Sequence, residues 1–343
     1  MNPESMLQYP YAEPPPAGGV VQAAPGVGWL RMPLPFALNH INLWLLDDGE
    51  GVAVVDCGIG NEATRALWEK VIADYLAGRR ITRVILTHHH PDHAGNAQWL
   101  RARYGAEFWI AQGEYLACHA VREGYAGYSQ DGLLAMYRAN GLSPEHDAKM
   151  QQRGSYFRVH VPEFPDRYGR LMEGKVLSIG GREWRVVMGY GHSPEHAALY
   201  CESLGVLISG DMVLPRITTN VSVPTIEPEG NPLALFLAST RNYARLPADT
   251  LVLPSHGLPF RGLRERAAYL EEHHRERLAD VEGACDAPRS AADIVPILFR
   301  RELDAHQMFF AMGESMAHLH WLHAEGRLLR KPGADGIVRF VRP

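Results

Sequence analysis

The sequence lacks a long hydrophobic run, closely spaced cysteines and a large excess of one charge. None of its 343 residues lies in a stretch approaching the ~18 uncharged apolar residues of a membrane-spanning helix, so we expect no membrane partner. The four cysteines are far apart and form no C-x-x-C pair, so we expect small buried apolar residues rather than disulfide partners. A net charge of −5 provides no general attraction for nucleic acid.

The first residues lack the features of a secretory signal. Residues 1–19 contain Glu4 and Glu13, no Lys or Arg, and no apolar core. We therefore expect a cytoplasmic protein, in which cysteines stay reduced and buried. Residues 1–26 are rich in Pro, Gly and Ala and are predicted to form an N-terminal arm.

Beyond the arm, short β-type runs alternate with helical periodicity, which predicts an α/β protein of layered sheets and helices. Residues 27–284 are predicted to form the catalytic domain, and residues 113–172 a helical insertion within it. After Cys285, two helical segments precede a predicted hairpin. This order predicts a small winged-helix-like domain over residues 285–343.

The chemistry of the sequence is concentrated in His88-His89-His90-Pro91-Asp92-His93, which follows a buried strand. Protonated imidazoles this close would repel one another, whereas neutral imidazole and carboxylate are natural ligands of a divalent cation. In an extended segment, residues i and i+2 point the same way, so His88 and His90 can bind one ion. Asp92 and His93 follow a bend and face a second ion. His89 should point away, and we interpret it as packing or as support for the ligands.

This H-x-H-x-D-H pattern resembles the signature of the metallo-β-lactamase superfamily, and the match extends over about residues 27–258. Four other segments resemble further motifs of that family, in the family's order. They are V-D-C-G at 55–58, G-H-S-P-E-H at 191–196, S-G-D at 209–211 and P-S-H-G at 254–257. The chain departs from the family at Glu195, where a glycine is usual.

The resemblance implies a site for two divalent metal ions, Zn²⁺ first, with Fe or Mn as alternatives. The ligands of the first metal would be His88, His90 and His192, and those of the second Asp92, His93 and His256. Asp211 would bridge the two ions. Asp56 is predicted to orient the ligand imidazoles from behind. His196 is expected to be a hydrogen-bonded core histidine that supports the site.

The resemblance also implies a four-layer αβ/βα metallo-β-lactamase sandwich and a hydrolase. A metal-bridging hydroxide would attack an ester, thioester or lactone carbonyl, with Asp92 and Asp211 as catalytic carboxylates. One alternative is a phosphodiesterase or endoribonuclease acting on single-stranded nucleic acid. Another is a mononuclear iron persulfide dioxygenase with its metal on His88, His192 and Asp211.

Substrate choice and partners are less well defined by the sequence. Tyr125, Tyr128 and Tyr190 are candidates for the wall of a substrate pocket, although aromatics of the insertion could equally form its own core. Residues 283–343 contain eight Lys or Arg and seven Asp or Glu, a net +1 that argues against a duplex-binding module. We expect a small-molecule substrate, with a second copy of the chain as a candidate partner.

Overall fold

The computed structural model describes residues 6–36, 38–152 and 156–343. Parts of two predicted segments, residues 1–5 of the arm and 153–155 of the insertion, lie outside the described residues. The strands, in chain order, are β1 Val20–Ala24, β2 Val27–Pro33, β3 His40–Asp48, β4 Gly51–Val55, β5 Arg80–Ile85, β6 Glu107–Ala111, β7 Gly169–Leu171, β8 Val176–Ile179, β9 Arg182–Gly189, β10 His196–Cys201, β11 Val206–Gly210, β12 Leu251–Pro254, β13 Leu329–Pro332 and β14 Val338–Val341.

The helices begin after β4 and continue to the C-terminal hairpin. They are α1 Glu62–Val71, α2 Pro91–Ala94, α3 Ala97–Tyr104, α4 Gln112–Glu123, α5 Gln130–Ala139, α6 Pro144–Gln151, α7 Tyr156–His160, α8 Pro232–Tyr243, α9 Leu263–Ala284, α10 Ala291–Leu298 and α11 Ala305–Ala324. A π-helical turn, Ile72–Leu76, extends α1. Among the described residues, no helix is both long and apolar enough to cross a membrane.

The chain divides into two compact units. The first contains Met1–Arg122, Phe157–Thr219 and Ser239–Ala267. The second contains Glu123–Tyr156, Asn220–Ala238 and Ala268–Pro343. The second unit thus combines part of the predicted insertion with the C-terminal residues and with two further segments of the predicted catalytic domain, Asn220–Ala238 and residues 268–284.

The first unit is built on two sheets that share one core. The first sheet has the order β1-β2-β3-β4-β5-β6-β7, and the second β12-β11-β10-β9-β8. β1 lies inside the predicted arm and pairs antiparallel with β2, a strand that the composition of the arm did not indicate. Apolar side chains of both sheets pack together, among them Trp44, Ile85, Trp184 and Ile208. Their burial holds the sheets face to face.

Helices cover the outer faces of these sheets. On the first sheet, Val54 and Val84 pack in a second core with Trp68 of α1 and Leu100 of α3. On the second sheet, the hydroxyl of Tyr243, the last residue of α8, donates to the carbonyl of Val187 at 3.2 Å. The layers therefore run helix, sheet, sheet, helix, as the resemblance to the family implies.

The strand ends bring the motif residues together. β4, β5, β6 and β7 run parallel to one another, so their carboxyl ends meet at one edge of the sheet. Asp56 follows β4 directly, and His88 lies three residues beyond β5. In the second sheet, Asp211 follows β11 and His256 lies just beyond β12, which pairs parallel with β11.

The second unit is mainly helical and ends in the hairpin β13–β14. Met312, Met316 and Leu319 of α11 are buried. The buried Tyr137 of α5 donates its hydroxyl to the carbonyl of Phe309 at 2.9 Å, joining the insertion to α11 within this unit. The winged-helix-like character of the C-terminal residues stays a prediction.

Candidate metal centre

Asp56 fixes the loop that follows β5. It is buried and has a positive φ of 59°, a conformation that is uncommon for a residue with a side chain. Its carboxylate accepts hydrogen bonds from the backbone N–H of Thr87 at 2.8 Å and from Nδ1 of His93 at 2.8 Å. The Thr87 hydroxyl also donates to it at 2.8 Å. Because Nδ1 of His93 is held in this way, Nε2 is left to face the other motif residues.

The first set of predicted ligands, His88, His90 and His192, converges in the structure. Nε2 of His88 lies 2.9 Å from Nδ1 of His90 and 3.2 Å from Nε2 of His192. These three imidazoles form a group whose nitrogen atoms could hold one metal ion.

The second set, Asp92, His93 and His256, forms another such group. Oδ2 of Asp92 lies 3.6 Å from Nε2 of His93 and 3.4 Å from Nε2 of His256. His93 and His256 are buried, whereas the Asp92 side chain keeps 19% of its surface exposed. Asp92 is therefore the member of this set that faces solvent.

Asp211 lies between the two sets. Its Oδ2 is 3.5 Å from Nε2 of His192, in the first set. Its Oδ1 is 3.4 Å from Nε2 of His256 and 3.6 Å from Nε2 of His93, in the second. One carboxylate thus presents one oxygen atom to each set.

The residues present fit metal ions. Nε2 of His93 and Oδ1 of Asp211 are buried and have no hydrogen-bond partner among the described residues. Such orphaned polar atoms are rare, because leaving them unpaired costs about 1–3 kcal/mol each. Cations bound by imidazole nitrogen and carboxylate oxygen would satisfy both atoms, and this donor set suits Zn²⁺, Fe or Mn.

The electrostatics differ between the two sets. Burial and the neighbouring imidazoles hold the pKa values of His88 and His90 well below their usual range. Burial opposes protonation of His256 too, but Asp211 and Asp92 raise its pKa to about 10. The second set therefore lies in a strongly negative environment, which favours a bound cation.

His196 and Gly210 fix the course of the backbone that leads into Asp211. Nε2 of the buried His196 accepts a hydrogen bond from the Asp211 backbone N–H at 3.1 Å. Burial and His192 lower the pKa of His196 to about 3, so the ring is a neutral acceptor. A Cβ atom on Gly210, where φ is +54°, would lie 2.2 Å from this Nε2. Only glycine fits at this last position of β11, beside the ring of His196.

Sequence reasoning missed two residues that hold the loop carrying His256. Nδ1 of His256 donates to the carbonyl of His40 at 2.7 Å, and Nε2 of His40 accepts from the Gly257 backbone N–H at 3.0 Å. The amide of Asn42 donates to the carbonyls of Pro254 and Gly257 at 2.8 and 2.7 Å. An available signal was the asparagine inside the apolar run of β3, since a buried amide needs partners.

Glu114 was also missed, because the sequence indicated only that it lies near the start of a helix. It has no exposed surface, and its carboxylate accepts from His89 N and Nδ1 at 3.0 and 2.5 Å. The Ser193 hydroxyl and the Glu195 backbone N–H donate to it, each at 2.7 Å. Burial opposes ionisation, but His89 and these hydrogen bonds lower the pKa of Glu114 to about 2. No spacing in the sequence links it to the ligands.

Glu195, where the chain departs from the family pattern, has a local explanation. Its Oε2 accepts a hydrogen bond from the backbone N–H of Gly113 at 2.6 Å, in the first turn of α4. Amide groups in the first turn of a helix lack partners within the helix. The side chain therefore satisfies one such amide.

The predicted substrate-pocket tyrosines are distributed over both units. Tyr190 precedes the ligand loop in the first unit and is 38% exposed, and its backbone N–H donates to Ser239 Oγ at 3.0 Å. Tyr125 and Tyr128 belong to the second unit, and Tyr125 is 66% exposed. The pocket stays a prediction.

Comparison with known proteins agrees with this geometry. The family model described as "Metallo-beta-lactamase superfamily" matches residues 38–256, and "Metallo-beta-lactamase-like, C-terminal domain" matches residues 278–343. The crystal structure of a beta-lactamase domain protein from Burkholderia ambifaria is 51% identical, with a TM-score of 0.93 and 99% of each chain covered. These likenesses confirm the fold predicted from the sequence.

Two curated relatives are similar at lower identity. The probable metallo-hydrolase YqjP of Bacillus subtilis (strain 168) is 27% identical, over 86% of this chain and 92% of that protein. The acyl-coenzyme A thioesterase MBLAC2 of Gallus gallus is 28% identical, over 55% of this chain and 63% of that protein.

Proposed function

Because the chain belongs to the metallo-β-lactamase superfamily and is a metal-dependent hydrolase, we propose that it uses two metal ions to hydrolyse a thioester, ester or lactone. The observation that carries the proposal is the position of Asp211, whose two carboxylate oxygens face different ligand sets. A site for one ion needs only one of these sets. A bridging carboxylate between two complete sets is typical of paired cations that act on one substrate.

The ligand roles follow from this arrangement. His88, His90 and His192 would hold one ion, Asp92, His93 and His256 the other, and Asp211 would bridge them. When bound, such a pair polarises a carbonyl oxygen and lowers the pKa of water from 15.7 towards about 7. We propose zinc, because neutral imidazole and carboxylate are its common ligands.

Asp92 is the carboxylate placed to move a proton. It is the carboxylate of the second ligand set, its side chain is 19% exposed, and its Oδ2 is 3.4 Å from Nε2 of His256. A leaving thiolate or alkoxide needs a proton as the carbon–sulfur or carbon–oxygen bond breaks. Asp211 keeps 11% of its side-chain surface exposed and is fixed between both sets, which suits a bridge better than a proton carrier.

Among carbonyl substrates we place thioesters first. The similarity to a protein named acyl-coenzyme A thioesterase supports this choice. Lactones and simple esters share the electrophilic carbonyl and stay alternatives.

A substrate panel tests the proposal. Zinc-loaded protein is assayed with an acyl-coenzyme A, a lactone, a p-nitrophenyl ester, bis-p-nitrophenyl phosphate and a β-lactam. We expect turnover of the thioester, lactone or ester, abolished by a chelator and by His88→Ala but retained in His146→Ala, a partly buried histidine of α6. Cleavage of the phosphodiester alone would contradict the carbonyl substrate.

The two alternative functions receive less support. Near the C-terminal hairpin, Arg327, Arg330, Arg339 and Arg342 are each paired with a carboxylate of the same unit, which weakens the positive potential available to phosphates. A dioxygenase with one iron would leave Asp92 and His256 without a role. A small-molecule substrate, a cytoplasmic location and a homodimer stay predictions.

A further inference from the structure

We propose that Glu114 is a positioning residue that holds together the two loops carrying the first ligand set. One loop contains His88 and His90, and the other contains His192. The inference rests on the two-metal site proposed above, but it concerns a residue outside the ligand sets and outside the motifs that the sequence resembles.

The contacts of Glu114 connect the two loops through a single buried carboxylate. Oε2 accepts from the backbone N–H and from Nδ1 of His89, the residue between the two ligands of the first loop. Oε1 accepts from the Ser193 hydroxyl and the Glu195 backbone N–H, which lie just after His192 in the second loop. Four donors therefore converge on two oxygen atoms.

This arrangement parallels that of Asp56. The Asp56 carboxylate accepts from Thr87 and from His93, and so orients a ligand of the second set. Glu114 instead contacts residues adjacent to all three ligands of the first set. Each ligand set thus has its own buried carboxylate. We predicted that His89 points away from the metals, and it is the residue of the first loop that donates hydrogen bonds to Glu114.

The geometry requires a carboxylate rather than an amide. Each oxygen of Glu114 accepts from one backbone N–H group, which can only donate, so in Glu114→Gln either orientation of the amide would direct its NH₂ group at one such donor. At least one of the four contacts would be lost, while the size of the side chain is almost unchanged. The variant removes the positioning without opening a cavity.

The test is metal affinity measured one equivalent at a time. Chelator competition with Zn²⁺ or Co²⁺ on metal-depleted full-length protein gives a dissociation constant for each equivalent. For Glu114→Gln we expect one of the two equivalents to bind about 10–100-fold more weakly and the other to change by less than about threefold. The visible absorption of the Co²⁺-loaded protein should change too, and kcat should fall more than KM rises.

The controls separate this inference from the proposed function and from misfolding. Glu50→Gln, in the exposed turn between β3 and β4, should retain both affinities and the spectrum. Ser193→Ala leaves the carboxylate in place and removes one donor, so it should weaken the same equivalent several-fold even if Glu114→Gln fails to fold. Wild-type affinities and spectrum in a folded Glu114→Gln, or unchanged binding in Ser193→Ala, would overturn the inference. If the wild-type protein binds fewer than two ions, the two-metal proposal itself fails.

Discussion

The two units each contain a group of buried histidines, and the groups differ in what surrounds them. In the first unit, the predicted ligand histidines face one another and the carboxylates of Asp92 and Asp211. In the second unit, Nδ1 of His318 donates to the carbonyl of Glu314 at 2.8 Å, and its Nε2 lies 3.2 Å from Nδ1 of His274. There the contacts are a main-chain oxygen and another imidazole.

The pKa directions express the same difference. Burial and neighbouring imidazoles lower the pKa of His274 to about 2, and burial lowers that of His318 to about 4. In the first unit, carboxylates raise the pKa of His256 to about 10 against the effect of burial. His274 and His318 of the second unit, which pair with no carboxylate among the described residues, thus form a neutral, packed core. Facing carboxylates are what make the first group suitable for cations.

The largest effect on catalysis is expected from removing the Asp211 carboxylate, which lies between the two ligand sets. Asp211→Ala should lower kcat/KM by about 10³-fold or more, because charge stabilisation by paired metals is worth several kcal/mol. His274→Gln, in the other histidine group, should change kcat/KM by less than about threefold and leave the metal content unchanged. Steady-state kinetics with metal analysis checks both, and loss of metal in His274→Gln would break the comparison.

A smaller effect, on the free energy of unfolding, is expected at Gly210, which packs against the ring of His196. Gly210→Ala would place a Cβ 2.2 Å from Nε2 of His196, at a φ of +54°. Gly205, with φ +62° and open space around its Cβ position, is the matched control. Gly205→Ala should cost about 1–2 kcal/mol for the backbone alone, and Gly210→Ala about 1–3 kcal/mol more. Urea unfolding measures both, and equal losses would contradict the tight packing.

The convergence of the predicted ligands could be anticipated, because the resemblance to the family supplied motifs that lie at strand ends. The histidines between positions 88 and 93 form a local pattern, and Asp211 follows an apolar strand. Glu114 could not be predicted in this way. It joins loops that are distant in sequence, and nothing near it in the sequence distinguishes a buried helix glutamate from an exposed one. Similarly, the pairing of β1 within the proline-rich arm depends on β2 as a partner rather than on its own composition.

The smallest expected effect is on the pH dependence of stability, through His274 and His318 of the second unit. His274 and His318 stay neutral in the folded protein but regain an ordinary pKa near 6.5 on unfolding, so below that pH the unfolded chain binds more protons. The free energy of unfolding should therefore fall as the pH drops from about 6.5 towards 4, by up to ~1.4 kcal/mol per pH unit for each group. In His274→Gln this slope should be shallower than in the wild-type protein. Urea unfolding at pH 7.5, 6.5 and 5.5 measures the slopes, and identical slopes would show that His274 is not held neutral.

The most direct test of the two-metal centre is anomalous X-ray diffraction from crystals of the zinc-loaded protein at the zinc edge. The account predicts two peaks about 3.5–4 Å apart. One should lie among His88, His90 and His192, the other among Asp92, His93 and His256, with Asp211 contacting both. A single peak, or peaks away from these side chains, would contradict it.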